Sequence, residues 1–490
     1  MKYILSVDQG TTSTRATLID KNGDVINMAQ EEISCTFPHS GWVEVDALNI
    51  WVSVINVVNE VLVKENITWK NIDSIGLTNQ RETAVVWDKN TGLPICPAIV
   101  WQSRQSAEIC EKYMDKKEFI HQKTGLLINP YFSASKIKFI LDNVPNAKEK
   151  AKKGELYFGT IDSWIIFRMT KGKIHATDVS NASRTMLFNI NTLKWDKELC
   201  DLFEIPMNML PKVLPSSFDY GEASFFAKGI HIHGVAGDQQ AALFGQTCFE
   251  VGESKNTYGT GCFMLMNIGD KPTLSKYGLL TTVAWQIGNK VCYALEGSVF
   301  IGGAVIQWLR DKMHLIYNSA QSEDKALSCH DSHGVYVVPA FTGLGTPYWD
   351  DEARGAVFGL TRNTNDNHLV RACLEAIAFQ CRDVFDVMKL ESHAELKHLQ
   401  VDGGATDNKY LMQFQSDILR VEITLPKNLQ TTALGAAYLA GLSSKYYSNL
   451  QQIRTIHECK RTFLPKMDEE EAENRYKGWK KAVEVTRMFK

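Results

Sequence analysis

Paired cysteines, a bias of charge and long apolar runs are all scarce in this chain of 490 residues. Its 11 cysteines are odd in number and scattered, with no C-x-x-C. That pattern excludes a zinc ribbon and argues against a disulfide framework, so most cysteines read as small core residues in a reducing compartment. Lys and Arg number 53 against 56 Asp and Glu, a net charge of -3, which gives no basic footprint for nucleic acid. Only Tyr3 to Val7 is apolar before Asp8, too little for a signal-peptide core, and no other run reads as long enough to cross a bilayer. The expectation is a cytoplasmic protein without a membrane segment. Two nucleotide signatures are also missing, the G-x-x-x-x-G-K-[ST] loop and the H-R-D with D-F-G pair. Any phosphate grip must therefore follow another design.

What the chain does have is a strand, a Gly-Thr turn and a second strand at Tyr3 to Asp20, repeated in outline at Asn256 to Met266. Gly10, Gly259 and Gly261 permit backbone conformations and close approaches that a side chain would block, so successive N–H groups can converge on an anion. Asp8 stands just before the first turn. A carboxylate there would repel phosphate unless a cation lay between, and Mg²⁺ is the usual one. Either hairpin alone would more often be a plain hydrogen-bonded turn.

The length suggests two domains and a cleft between them, with the boundary near Glu250, giving 1-250 and 251-490. In the first half, Val25 to Ile33 completes a meander, and Asp46 caps a helix with an apolar stripe through Ile50, Trp51, Val54, Val58 and Leu62. Ile72 to Thr78 and Ala84 to Trp87 read as strands around the polar insert Asn79 to Thr83. Pro130 marks entry to another helix, and 177 to 215 shows no clean period. A strand at Ile230 to Ala236 ends in Gly237-Asp238-Gln239-Gln240 before a small-residue helix. In the second half, a glycine-rich stretch at Thr342 to Leu360 should be an ordered loop over the cleft. Leu369 to Leu390 reads as a helix, and Leu399 to Ala405 as a strand meeting a Gly-Gly turn. The last helix, Glu469 to Met488, opens acidic and closes with Lys480, Lys481, Arg487 and Lys490, which suits the macrodipole.

Taken together, Asp8-Gln9-Gly10-Thr11-Thr12, Gly237-Asp238, Tyr258-Gly259-Thr260-Gly261 and Asp402-Gly403-Gly404-Ala405 resemble the phosphate and adenosine motifs of the sugar kinase and actin superfamily. With Thr78 to Thr83, Pro130-Tyr131-Phe132 and Gly343 to Leu360, the whole chain resembles the FGGY carbohydrate kinases, on the branch that acts on glycerol. The resemblance implies an α/β protein of two actin-like (ribonuclease H-like) domains, each a mixed sheet flanked by helices, closing on ATP, Mg²⁺ and glycerol. It implies Arg81, Glu82, Tyr131, Asp238 and Gln239 at the glycerol hydroxyls, with Trp101 and Phe263 as apolar walls. Thr11, Thr12, Ser13 and Arg15 would approach the transferring phosphoryl group, and Thr260, Gly303, Gln307, Gly404 and Asn408 would line the nucleotide site. Asp238 is the implied base, Asp8 the metal carboxylate, and a homodimer or homotetramer the implied assembly. Two rivals stand beside it: a kinase of the same family for a longer sugar such as xylulose or gluconate, and a non-catalytic polyol-binding sensor.

The residues give their own reasons. A polyol hydroxyl both donates and accepts, while Arg only donates and Glu only accepts, so Arg81-Glu82 answers both needs. Strand neighbours face opposite ways, which predicts a break in the strand at Gln80 to Thr83. Asp238 has the competing reading of a helix N-cap. The stretch Tyr220 to His233 is shorter than in several family members, where it carries a phosphorylated histidine or a Gly-rich effector loop. His231 and His233 alternate on the strand there and read as structural.

Overall fold

The computed structural model describes residues 1–392, Leu396 and 398–489; Lys490, counted above among the basic residues of the last helix, lies outside them. Two sheets organise the fold. The first holds β1 (Tyr3–Gln9), β2 (Ser13–Ile19), β3 (Val25–Glu32), β4 (Ile72–Asn79) and β5 (Ile232–Gly237), in the order β5-β4-β1-β2-β3. The second holds β6 (Ser254–Tyr258), β7 (Cys262–Gly269), β8 (Leu280–Ile287), β9 (Lys290–Val299), β10 (His398–Asp402), β11 (Glu422–Pro426) and β12 (Cys459–Phe463), in the order β8-β9-β7-β6-β10-β11-β12.

One plan is used twice. β1 pairs antiparallel with β2 and parallel with β4, which continues parallel to β5. Likewise β6 pairs antiparallel with β7 and parallel with β10, which continues parallel to β11. In each sheet the hairpin tip and the end of the next parallel strand therefore emerge on one edge, where ligands of open α/β sheets gather.

The helices follow from their stripes and caps. In α1 (Ala47–Lys64), Asp46 accepts from the Leu48 N–H, and Ile50, Trp51, Val54, Val57, Val58 and Val61 are buried. This helix also corrects an expectation: at 18 residues and mean hydropathy 1.3 it has the length and composition to cross a membrane, though half of it is buried within the protein. The N-cap reading of Asp238 is corrected too, since Gly237 is the cap and Asp238 opens α2 (Asp238–Gly245). Behind it, α3 (Thr431–Ser443) packs on the first sheet and on α2 at contacts that admit no side chain. A Cβ on Gly435 would lie 1.8 Å from the Ala241 carbonyl, and one on Gly76 would lie 2.4 Å from that of Ala436. The chain thus returns from its second half to brace the helix that begins with Asp238. All eleven cysteines are free thiols.

Candidate active site

The two hairpin tips share one cavity. About 470 Å³ in size, it is lined by Thr11 and Thr12 from the first turn, Gly259, Thr260 and Gly261 from the second, and Arg81, Glu82, Trp101, Tyr131, Asp238, Gln239 and Phe263. The turns close on themselves: the Gly10 N–H donates to the Ser13 carbonyl and the Gly259 N–H to that of Gly261, both at 2.9 Å. None of these three glycines has a positive φ, so close approach and not left-handed backbone is what they supply. A Cβ on Gly261 would sit 2.5 Å from the Val299 carbonyl.

At the polyol end the chain breaks as its alternation demands. β4 stops at Asn79, Glu82 takes a left-handed φ of 63°, and the Thr83 N–H folds back to the Arg81 carbonyl at 2.7 Å. A non-glycine residue held there marks a site that its surroundings over-determine. The break brings Arg81 and Glu82 onto one cavity wall.

The surroundings are ionic and buried. Arg81 forms a two-point pair with Glu296 (2.5 and 3.0 Å), reaches Tyr131 Oη and Gln240 Oε1 at 3.3 Å, and sets its Nε 3.2 Å from Asp238 Oδ1. Its four Nη–H donors are engaged in hydrogen bonds, while Nε is held only by its ion pair with Asp238. Arg184 joins both carboxylates, with Nε 2.6 Å from Glu82 and Nη2 2.8 Å from Glu296. That occupies one Glu82 oxygen; among the described residues the other has no hydrogen-bond partner. Burial opposes the Glu296 charge, yet Arg184 and Arg81 outweigh it and hold its pKa down to about 2. For Glu82 burial wins, and its pKa is raised despite the same guanidiniums.

Sequence reasoning missed Arg184, Glu296 and Lys255. A signal existed: Glu296 interrupts the apolar run Cys292 to Leu295, and Lys255 is the one charged residue of the hairpin strand Ser254–Tyr258. Both lie on buried strand positions, where charge is retained only with partners. Lys255 donates to Gln239 Oε1 at 2.5 Å and Thr257 Oγ1 at 2.8 Å. Burial brings its pKa down to about 8, against the pull of Asp402 and Asp238.

The aromatic walls come from both halves. Trp101 meets Tyr131 edge-on at 5.6 Å and Phe263 at 6.3 Å, and its Nε1–H donates to Thr11 Oγ1 at 2.8 Å. This bond ties the polyol wall to the first phosphate tip.

Asp238 accepts from the Gln239 N–H at 2.8 Å. Burial raises its pKa, with Arg81 and Lys255 opposing. Asp8 is held up to about 6 by burial, with Arg15 pulling down and Asp238 adding to the rise. Among the described residues the Asp8 carboxylate has no hydrogen-bond or ion-pair partner. Asp8 does not itself line the cavity, but it is near enough to feel the Asp238 charge, and a free carboxylate of this kind is the oxygen ligand a hard cation takes. Ser13 and Arg15, expected at the phosphoryl group, lie outside the cavity lining; Arg15 pairs across the sheet with Asp8 and donates to Gln30 at 2.9 Å.

A second cavity, about 600 Å³, meets the first at Gly259 and Gln307. Gly303, Gly404, Ala405 and Asn408 line it, and so do Ser322, Glu323 and Asp324, which sequence reasoning passed over. The Gly303 N–H donates to the Gly259 carbonyl at 2.8 Å, docking the start of the helix Ala304–Asp311 on the second tip. Gly403, at φ 95°, has no room for a Cβ, which would lie 2.5 Å from the Tyr258 carbonyl; Gly404 meets nothing within 4 Å. Asn408 is occupied as a cap, accepting from the Leu411 N–H at 2.9 Å and donating to Ser322 at 3.2 Å.

Twin actin-like domains with a phosphate-gripping cleft define the chain's class: it belongs to the FGGY family of carbohydrate kinases. The family's N-terminal domain matches residues 3–245 and its C-terminal domain residues 254–444. The chain is 57% identical to the glycerol kinase of Bacillus licheniformis across the full length of both. It is 56% identical to that of Oceanobacillus iheyensis over all of this chain and 99% of the relative. The crystal structure of Plasmodium falciparum glycerol kinase with ADP superposes with a TM-score of 0.91 at 39% identity, over 99% of this chain and 98% of that one.

Proposed function

We propose that the protein transfers the γ-phosphoryl group of ATP to glycerol, giving sn-glycerol 3-phosphate. The carrying observation is the junction of the two cavities at Gly259 and Gln307, which lets a nucleotide in one present its last phosphate to an alcohol in the other. The near-complete coverage by relatives named glycerol kinase supports the same reading.

In this reading, residues 1–250 carry the polyol side and residues 251–490 the nucleotide side. Arg81 and Glu82 hold glycerol hydroxyls, with Tyr131 and Gln239 beside them, while Trp101 and Phe263 cover its carbon edge. Asp238 orients the attacking hydroxyl and takes its proton. The raised pKa of Asp238 favours that role, and a loose phosphoryl-transfer transition state asks for little proton removal early. N–H groups at the Thr11-Thr12 and Gly259-Thr260 turns receive phosphate oxygens, Lys255 adds positive charge, and Gly404 leaves a bare surface for the nucleoside. Asp8 would hold Mg²⁺, which when bound neutralises charge on the phosphates. Closure of the halves excludes water as a rival nucleophile. The family resemblance adds a cytoplasmic homodimer or homotetramer, to be checked by light scattering.

Two measurements test this. ADP release with glycerol, dihydroxyacetone, xylulose and gluconate should be fastest with glycerol; a preference for xylulose or gluconate would move the protein to a sibling activity. Asp238→Asn should lower kcat by about 10²- to 10⁴-fold and change glycerol binding much less. Near-normal turnover would remove Asp238 as the base.

A further inference from the structure

One cluster of ligating side chains outside the cleft has no part in that chemistry. His231 and His233 lie at the start of the edge strand β5, their rings stacked with centroids 5.8 Å apart and planes 21° apart. The pairing of β5 with β4 is irregular between Ile232 and Gly234, a bulge of the kind that re-aims side chains. Asp219 comes from the preceding segment, which runs antiparallel to β5. Ser217 bridges Gly234, Glu222 bridges His231, and the Phe218 and Tyr220 N–H groups donate to the His233 and Ile232 carbonyls at 3.1 and 2.8 Å. This ladder fixes the Asp219 carboxylate 2.9 and 3.1 Å from His231 Nδ1. One ligand atom from each of the three residues lies within 4.8 Å of the other two.

Reading both histidines as structural explains the His231 pair with Asp219 and the 3.0 Å hydrogen bond between His233 Nδ1 and Ser443 Oγ, but not the gathering of all three. We propose that Asp219, His231 and His233 form a binding site for a divalent transition-metal ion of the Zn²⁺ class. Two imidazoles and one carboxylate suit Zn²⁺, Ni²⁺ or Cu²⁺ and not Mg²⁺, which prefers oxygen alone. Ligands of tetrahedral Zn²⁺ stand roughly 3.3 Å apart, so each atom need move only about 1 Å. Ser443 would serve as the outer partner that fixes the His233 ring. Three protein ligands leave a fourth position for water. A bound ion would staple the segment 217–222 to β5, the strand whose far end leads into Asp238.

The test is a Zn²⁺ titration of the full-length, nucleotide-free protein by calorimetry, with melting followed in parallel. One saturable equivalent and a raised melting temperature are expected. His231→Gln and His233→Gln should each weaken binding at least about tenfold and abolish the rise in melting; Asp219→Asn, on an exposed side chain, serves should a histidine variant fold poorly. A Co²⁺ titration should give d–d bands without a thiolate charge-transfer band, separating this site from free cysteines such as Cys459. Absence of a saturable equivalent, binding unchanged in the variants, or a thiolate band would each overturn the proposal.

Discussion

Where glycerol would lie, the cleft is walled by ionised side chains of both signs, while the half that would take the nucleotide sets glycines among apolar and polar side chains, with carboxylates but no cationic residue in its lining. The polyol half sets Arg81, Arg184, Glu82 and Glu296 within hydrogen-bonding reach of one another, all nearly or wholly buried. In the nucleotide half, Gly259, Gly303 and Gly404 open the surface between Tyr258, Ile306, Leu374 and Ile377, with Glu323, Asp324 and Asp407 also in the lining. The difference follows from the ligands. A three-carbon polyol offers only hydroxyls, and telling it from water requires donors and acceptors at fixed points. A triphosphate brings its own charge, so oriented N–H groups suffice to hold it. The network also crosses the molecule, since Glu296 on β9 binds guanidiniums from the first half. Under the proposed function, closure and polyol recognition would share the same bonds.

If the contrast holds, charge changes should hurt the polyol half and added methyl groups the nucleotide half. Arg184→Met should cost most, about 3–5 kcal/mol of stability, because it leaves the buried Glu82 carboxylate without a hydrogen bond and Glu296 with Arg81 alone; a loss under about 1 kcal/mol in chemical denaturation would break the comparison. Gly403→Ala should cost roughly 2–3 kcal/mol, through its left-handed backbone and the Tyr258 carbonyl, with ATP KM raised. The first half of the chain should also carry a pH response, away from the cleft, at Asp162, which accepts from Thr160 and Thr177. Burial, and next the nearby Asp178, raise Asp162 from 3.8 to about 7. The folded state then binds the proton more tightly than the unfolded chain. Its contribution is full below about pH 4 and is lost as pH rises through 7. Relative to the parent, Asp162→Asn should thus gain about 4 kcal/mol between pH 4 and pH 8 in denaturant titrations; a constant difference would remove Asp162 from the account. Gly404→Ala should be smallest, within about 0.5 kcal/mol for folding since nothing stands near its Cβ, and any effect should fall on ATP KM alone.

The same contrast explains what could be read before the structure. Backbone-built features announce themselves: Gly10, Gly259, Gly261 and Gly403-Gly404 marked both tips and the nucleotide wall, and the period break at Arg81-Glu82 followed from strand alternation. Long-range ion pairs do not. Glu296 lies 215 residues from Arg81 and 112 from Arg184, and no local pattern links them. The role of α3 was hidden as well, because its fit against α2 and the first sheet depends on Gly435 and Gly76 meeting backbone from distant segments. Ser13 and Arg15 lie beside the first tip but outside the cavity lining, so their place at the phosphoryl group stays an expectation carried by the resemblance alone.

The central claim is that two hairpin tips from separate sheets hold one polyphosphate beside Asp238. A crystal structure of the protein with ADP and glycerol tests it most directly. The account predicts the β-phosphate within hydrogen-bond distance of N–H groups at both Thr11-Thr12 and Gly259-Thr260, with a terminal glycerol hydroxyl beside Asp238. A diphosphate touching one tip only, or glycerol bound away from Arg81 and Glu82, would contradict it.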